Sequence, residues 1–360
     1  MRIVDENLNR LAEGLRVLED AARMVLDDRG LTARLKALRH ELVRGDLPFN
    51  LELLEARRAS DDVGANLLTP AQTLPQPLAL VTVANARRAQ EALRVLEEMA
   101  RLPEMAGKLD STKFKASRFA LYSIERDLVT ALTRRDKARQ INGLYVILDT
   151  DSLAGRQHLE LAADLIQAGV KVLQIRDKVT PKDILLPLAA RLVELCHQNA
   201  VLLIVNDHLD IALAAGADGL HVGQTDLPAG AARRLLPPDR LLGVSVATVK
   251  EARIAEAAGA DYLGVGSVFP TSSKSDIQAV GLGRVREIRQ STRLPLAAIG
   301  GINVNNSGDT IRAGADAVCV ISAVLNTPDA GKAARALIEV VHKARQSKGK
   351  IEADNEKINN

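Results

Sequence analysis

The groups that can do chemistry in the second half of this chain stand at the ends of short apolar runs. Gln174-Ile-Arg176-Asp-Lys178 follows one run, Asn206-Asp207 a second, and His221-Val-Gly-Gln224-Thr-Asp226 a third. Ser245 closes a fourth, Pro270-Thr271-Ser-Ser273-Lys274 follows a fifth, and Gly300-Gly301 and Ser322-Ala323 follow the last two. Arg176, Lys178 and Lys274 are cations suited to a diphosphate. Asp207 and Asp226 are hard oxygen ligands suited to Mg2+ shared with phosphate oxygens. The Gly300-Gly301 and Ser322-Ala323 turns are places where backbone N–H groups hold a phosphate. Two anion sites and a metal point to two phosphorylated substrates, one of which leaves as diphosphate.

Each group taken alone has a plainer reading. An Arg-x-Lys after a strand is commonly a solvated loop, Asp207 or Ser322 can cap a helix, and paired glycines make tight turns. His221 reads as a core histidine and Cys319 as core. The joint placement favours chemistry, because the plain readings would have to fall independently on matching ends.

The elements that position these groups change character along the chain. After about residue 140, eight strand candidates alternate with helical stretches: GLYVIL (143–148), KVLQIR (171–176), VLLIVN (201–206), GLHVG (219–223), LLGVSV (241–246), YLGVGSVF (262–269), LPLAAIG (294–300) and AVCVIS (317–322). Runs apolar on both faces imply parallel strands covered by helices. Segments such as HLELAADLIQAG close on a glycine suited to end a helix. Eight such units predict a closed (β/α)8 TIM barrel over 141–345, whose reactive residues sit at the C-terminal strand ends. An open doubly wound sheet is the alternative, weakened by the lack of a dinucleotide glycine fingerprint in the first turn.

Residues 1–138 predict an all-α helical domain with an internal duplication. Asn7–Glu19 (NLNRLAEGLRVLE) aligns with Asn85–Glu97 (NARRAQEALRVLE), and Lys36-Ala-Leu-Arg39 echoes Lys115-Ala-Ser-Arg118. Leu11, Leu15 and Leu18 have helical spacing. The prolines of TPAQTLPQP (69–77) make a loop between the copies. Candidate polar groups are Asn7, Arg10, Glu13, Arg16 and Glu19, their partners Asn85, Arg88, Glu91, Arg94 and Glu97, and the Asp61-Asp62-Val-Gly64 segment. At i, i+3 spacing the arginines and glutamates also read as ion-paired surface. The polar tail 346–360 is expected to be disordered.

Composition narrows the function classes. Aromatics are 2% and Trp is absent, so base stacking on nucleic acid is not expected. Net charge is +3, with 24 basic against 21 acidic residues in 1–140 and 24 against 24 in 141–360. Phosphate binding must therefore come from placed residues and not from a general field. Cys196 and Cys319 lie in apolar stretches without metal spacing and read as buried free thiols. The polar start MRIVDENLNR and the absence of long apolar runs lead to the expectation of a cytoplasmic protein, with no membrane partner and homo-oligomerisation open.

QIRDK, IVNDHLDIALAAGADGLHVGQTDL, GVSV, GVGSVFPTSSK, AIGGI and VISA, over about residues 142–342, resemble in order and spacing the thiamine-phosphate synthases. That resemblance implies condensation of a hydroxymethylpyrimidine diphosphate with a thiazole phosphate, plain or carboxylated, to give thiamine phosphate and diphosphate. It implies that Arg176, Lys178, Asn206 and Lys274 contact the diphosphate, Gln174 the pyrimidine, and Asp207 and Asp226 Mg2+. Ser245 would lie beside the reacting centre. Thr271 and Ser273 would bind the thiazole phosphate, near Gly301, Ile321 and Ser322. The family loop usually reads Thr-x-Thr-Lys, where this chain has Thr271-Ser-Ser273-Lys274. The implied mechanism is dissociative and uses no protein nucleophile. The first 138 residues resemble the helical domain found ahead of some such synthases and associated with hydroxymethylpyrimidine-phosphate kinase activity, although the chain has no P-loop or kinase glycine loop. The competing expectations are a barrel paralogue that isomerises a thiazole phosphate, a degenerate non-catalytic scaffold, and a helical domain that is only structural or dimerising.

Overall fold

The computed structural model describes residues 1–43, 52–53, 55, 76–270 and 279–358. The chain forms two compact units, Met1–Thr133 and Arg134–Asn360. The division falls a few residues before the expected one, inside a helix that runs from Ser111 to Ala138.

Among its described residues the first unit is all-helical. Helices α1 (Arg2–Asp20), α2 (Arg29–Val43), α3 (Leu78–Met99) and α4 (Ser111–Ala138) carry it. One π-helical turn, Ala21–Val25, ends the first, and Asp28 starts the second by accepting the Leu31 N–H at 2.9 Å. The two copies of the sequence repeat lie on α1 and α3 and pack on each other. Leu11, Leu15 and Leu18 of one copy and Ala89, Leu93 and Leu96 of the other are completely buried in one cluster. The helices approach closely at Gly14, where a Cβ would lie 2.9 Å from the Asn85 carbonyl oxygen.

The second unit is a closed barrel of eight parallel strands in the order β1 to β8. They are β1 (Gly143–Asp149), β2 (Val172–Arg176), β3 (Leu202–Asn206), β4 (Gly219–Val222), β5 (Leu241–Val246), β6 (Tyr262–Val265), β7 (Leu296–Ile299) and β8 (Ala317–Val320). All eight predicted strands are present. The sixth is shorter than the expected 262–269, because after Val265 the chain leaves the ladder and Val268 and Phe269 bond back to the Ile299 and Gly300 carbonyls instead. Alternate residues face in and out. Leu144, Val146 and Leu148 join the outer core under the helices, while Tyr145 and Ile147 join the inner one.

The end of the barrel opposite the reactive groups is built for stability. The tripeptide Gly-Ala-Asp occurs just before β4, β6 and β8. Its Asp218, Asp261 and Asp316 accept the backbone N–H of Leu203, Leu242 and Leu296 on the preceding strand, at 3.1, 2.8 and 2.9 Å. Each also meets a cation, including Lys137, Arg233 and Arg289. Charge-assisted bonds of this kind close the strand starts where no loop chemistry is needed.

The tail corrects one expectation. Residues from Ala330 form one helix as far as Ile358, where disorder was expected over 346–360. Ala334, Leu337, Val341 and Ala344 anchor its first half against the barrel. The polar extension carries Lys and Glu, which suit helices, and adds residues to a helix that is already nucleated.

Candidate active site

The inward alternation of the strands decides what enters the barrel mouth. Gln174 and Arg176 of β2, Asn206 of β3, Ser245 of β5 and Ile321 after β8 lie on inward positions. Together with Lys178, Asp207, Asp226, Gly301 and Ser322 they line one cavity of about 470 Å³. The structure thus brings together ten of the expected site residues. Thr271, Ser273 and Lys274 lie outside the described residues, as do Asp61, Asp62 and Gly64.

The capping readings of two residues fail. Helix Leu209–Ala215 begins at His208 without a side-chain cap, and helix Ser322–Leu325 likewise begins at Ile321 without one. Asp207 instead adopts a left-handed backbone with φ +60°, held by its N–H to the His221 carbonyl at 2.9 Å. Asp tolerates that region better than most residues, and such strain gathers at functional sites. Its carboxyl hydrogen-bonds that of Asp226. Burial and this partner together raise Asp207 to about 6, while the same bond, working against burial, holds Asp226 below its ordinary value. Asp226 also accepts the Gly223 N–H at 2.8 Å, and Lys178 Nζ lies 3.8 Å from Asp207. Two carboxyls with one strongly bound proton form the arrangement that a divalent cation relieves by replacing the proton.

Arg176 is fixed by a residue that sequence reasoning does not single out. Asp149, the last residue of β1, is buried and holds Arg176 Nη1 at 2.5 Å while accepting Ser152 Oγ at 3.0 Å. The next residue on, Asp177, stitches the loop that carries Lys178. It accepts the Val179 and Thr180 N–H groups at 3.0 and 2.8 Å and the Thr150 hydroxyl at 2.7 Å. Burial alone would raise its pKa, but these donors bring it down to about 2.

The floor of the cavity is polar although its elements are apolar runs. Gln174 Nε2 lies 2.7 Å from Tyr145 Oη, which is 3.1 Å from Tyr262 Oη; His221 Nδ1 is 3.1 Å from that phenol, and its Nε2 is 2.9 Å from Ser245 Oγ. His221 is therefore a cavity residue and not the core histidine of the plainer reading. Tyr145 and Tyr262 escape a search of strand ends because they sit mid-strand. The signal that finds them is period-two alternation, which puts Tyr145 on the same face as Asp149. Space for the rings comes from glycine: a Cβ on Gly243 would stand 2.2 Å from Tyr262 Cζ and 2.5 Å from His221 Nδ1.

Beyond β7 the backbone itself forms the wall. Gly300 and Gly301 have φ +102° and +62°, and a Cβ on either would strike Ser267 Oγ at 2.0 Å or the Pro270 carbonyl oxygen at 2.4 Å. Only glycine lets the two loops meet there. Cys319 lines the cavity and Cys196 lies in the outer core; both are buried free thiols whose protons burial holds on, Cys196 up to about 12.

In the first unit the candidate groups are largely paired. Asn7 and Asn85, equivalent in the repeat, each donate to the carbonyl four residues back at 2.8 Å. Glu19 meets Arg39 at 2.7 Å, and its equivalent Glu97 meets Arg118 at 3.0 Å, so the duplication extends to a matching ion pair. Arg10 pairs Glu6, Arg16 pairs Asp20, and Arg94 pairs Glu97 and Glu98. Glu13, Arg88 and Glu91 are exposed.

Residues 144–324 match the family model described as "Thiamine monophosphate synthase". A "Thiamine-phosphate synthase" of Prochlorococcus marinus (strain MIT 9303) is 38% identical over 343 residues, which cover 94% of this chain and 96% of the relative. The chain belongs to the thiamine-phosphate synthase family. A thiamine-phosphate synthase from Moorella thermoacetica is 50% identical over 203 residues, 56% of this chain and 97% of its own. A solved thiamine phosphate pyrophosphorylase from Pyrococcus furiosus superposes with a TM-score of 0.54 at 36% identity, covering 57% of this chain and 98% of that one. The barrel is thus the transferase unit of this family. Residues 2–127 match a second model, the "ThiD2 family". No helix among the described residues is long and apolar enough to cross a membrane.

Proposed function

We propose that the barrel joins 4-amino-2-methyl-5-(diphosphooxymethyl)pyrimidine to 4-methyl-5-(2-phosphoethyl)thiazole, or its carboxylated form, in a Mg2+-dependent reaction that releases diphosphate. One observation carries this reading: Arg176, Lys178 and the hydrogen-bonded pair Asp207–Asp226 converge on one cavity. The carboxylates fit Mg2+, although no group of three or more His, Cys, Asp or Glu residues forms a metal cluster among the described residues. They would supply two oxygens and leave the other positions to phosphate oxygens and water. Bound there, Mg2+ supplies neutralisation of the charge that grows on the diphosphate.

The chain's own groups do the rest. Gln174 would orient the pyrimidine on the cavity floor, while Arg176, Lys178 and Asn206 hold the diphosphate; Lys274 is proposed to join them. Gly301, Ile321 and Ser322 would seat the thiazole phosphate, with Thr271 and Ser273. As the C–O bond breaks, its electron pair leaves with the diphosphate oxygen, and the thiazole nitrogen then gives its lone pair to the methylene carbon. Positioning and electrostatic stabilisation suffice, and no protein nucleophile is needed. A barrel that only isomerises a thiazole phosphate would have no use for Arg176, Lys178, Asp207 and Asp226 in one place.

Purified full-length protein given both phosphorylated substrates and Mg2+ is expected to release diphosphate. Asp207→Ala and Arg176→Ala should each lower the rate on the order of a hundredfold. Variants as fast as the parent would overturn the assignment.

For the first unit we infer phosphorylation of the pyrimidine monophosphate, which makes the diphosphate the barrel consumes. The match to the ThiD2 family and the relatives that span both units support this reading. A structural module is the second reading, favoured by the matching Glu19–Arg39 and Glu97–Arg118 pairs, which engage both candidate glutamates. The full chain given the pyrimidine monophosphate and ATP should form ADP; no ADP from a folded protein leaves the structural reading.

A further inference from the structure

The hydrogen-bond chain on the cavity floor runs in one direction once its first donor is known. Gln174 Nε2 is an amide nitrogen and can only donate, so Tyr145 Oη accepts at 2.7 Å. Apart from Gln174, the hydrogen-bonding neighbour of Tyr145 Oη among the described residues is Tyr262 Oη at 3.1 Å, so the Tyr145 proton is assigned to that bond, and the Tyr262 proton in turn to His221 Nδ1 at 3.1 Å. An imidazole that accepts at Nδ1 carries its proton on Nε2, which faces Ser245 Oγ at 2.9 Å. Ser245 therefore accepts from His221, and its own proton is left to point elsewhere, into the cavity it lines.

We propose that the Gln174 amide polarises this chain, sets His221 to accept at Nδ1 and donate from Nε2, and so makes Ser245 Oγ a fixed hydrogen-bond donor into the cavity. Tyr145, Tyr262 and His221 are then positioning residues that act through Ser245. This rests on the reading that Ser245 lies beside the reacting centre. An unoriented serine hydroxyl serves equally as donor or acceptor. One that must donate is arranged in advance for an oxygen that gains negative charge as diphosphate departs.

Packing holds the arrangement in place. Tyr145 and Tyr262 are buried, and the phenol of Tyr262 and the ring of His221 pack directly against Gly243, where even a methyl group has no room. The His221 and Tyr262 ring centroids are 5.5 Å apart. Burial holds both phenols above the ordinary tyrosine range, so each keeps the proton that the chain passes along. Turning the Gln174 amide over would reverse every donor: Tyr145 would donate to Gln174 Oε1, His221 would carry Nδ1–H, and Ser245 would donate to His221 instead of to the cavity.

The test is nitrogen-15 NMR of the full chain labelled at its six histidines, with His221 assigned by the signal lost in His221→Asn. The parent is expected to show Nε2–H at His221. Gln174→Glu places an acceptor where the donor was and should move His221 to Nδ1–H; Tyr262→Phe should leave both tautomers populated. In the diphosphate-release assay, Tyr262→Phe should lower kcat on the order of tenfold, with KM for each substrate within about twofold of the parent. Nδ1–H in the parent, or an unchanged tautomer in Gln174→Glu, overturns the proposal. A shifted tautomer with an unchanged kcat overturns its catalytic half. A parent with the expected tautomer that releases no diphosphate counts against the synthase reading and takes the catalytic half with it.

Discussion

Asp149 Oδ1 stands 2.5 Å from Arg176 Nη1, and strand register makes the contact, because the two residues are Cα partners on the β1–β2 rung. The pair fixes one end of the guanidinium, whose side chain lines the cavity. Asp149→Ala should therefore lower diphosphate release about 10- to 100-fold by letting Arg176 drift. Asp149→Asn keeps an acceptor and should fall between that variant and the parent. Steady-state kinetics on the three proteins checks the order.

Asp207 carries the pH dependence. Burial and the bond to Asp226 raise it to about 6, so the folded protein without metal binds this proton more tightly than the unfolded chain does. Its stabilising contribution is then complete at low pH and is lost as pH rises through about 6. Asp207→Asn should accordingly raise the thermal midpoint of metal-free protein at pH 8 by a few degrees while removing activity. Below pH 6 the parent should need roughly tenfold more Mg2+ per pH unit for half-maximal rate. Calorimetry and Mg2+ titrations at several pH values measure both.

Asp177 has the opposite sign. Its donors hold it at about 2, so the stability it confers is present above the ordinary carboxylate range and is lost as pH falls toward 2. Asp177→Ala removes the acceptor for two backbone N–H groups and one hydroxyl. The expected loss is about 2 kcal/mol by urea unfolding at pH 7, with a smaller difference from the parent at pH 3.

Two glycines should resist substitution for steric reasons alone. Gly243→Ala drives a methyl group into Tyr262 and His221 and is expected to cost about 3 kcal/mol or more, together with cavity shape and activity. Gly14→Ala meets the Asn85 carbonyl at 2.9 Å across α1 and α3 and should cost about 1 to 3 kcal/mol. Thermal melts compare both with the parent, and the diphosphate assay should separate them, since Gly14 is far in sequence from every cavity residue.

Much of this was legible in the residues because the signals are local. Apolar runs of strand length, punctuated by glycines, mark all eight strands. Their polar ends point to Arg176, Asn206, Asp207 and Asp226, since a charged group after a buried run needs a reason to be there. Tyr145 and Tyr262 were not legible this way: among apolar neighbours a tyrosine reads as core, and only the inward face shows its hydroxyl in use. Asp149 was missed because its meaning depends on Arg176, 27 residues away in sequence. The sixth strand and the tail were misjudged where a hydrophobic run outlasts its ladder and where an anchored helix carries polar residues past the point at which composition suggests disorder.

By itself, then, the sequence determined the order and type of the elements, the duplication on α1 and α3, and the set of side chains offered at the strand ends. Period and residue type are properties of a segment, and a segment carries them wherever it lies. Tertiary structure alone decided the pairings: Asp149 against Arg176, Asp207 against Asp226, and the chain from Gln174 to Ser245. Barrel closure sets strand register, register brings distant residues within 3 Å or so, and only at that range do hydrogen bonds and charge fix tautomers and pKa values.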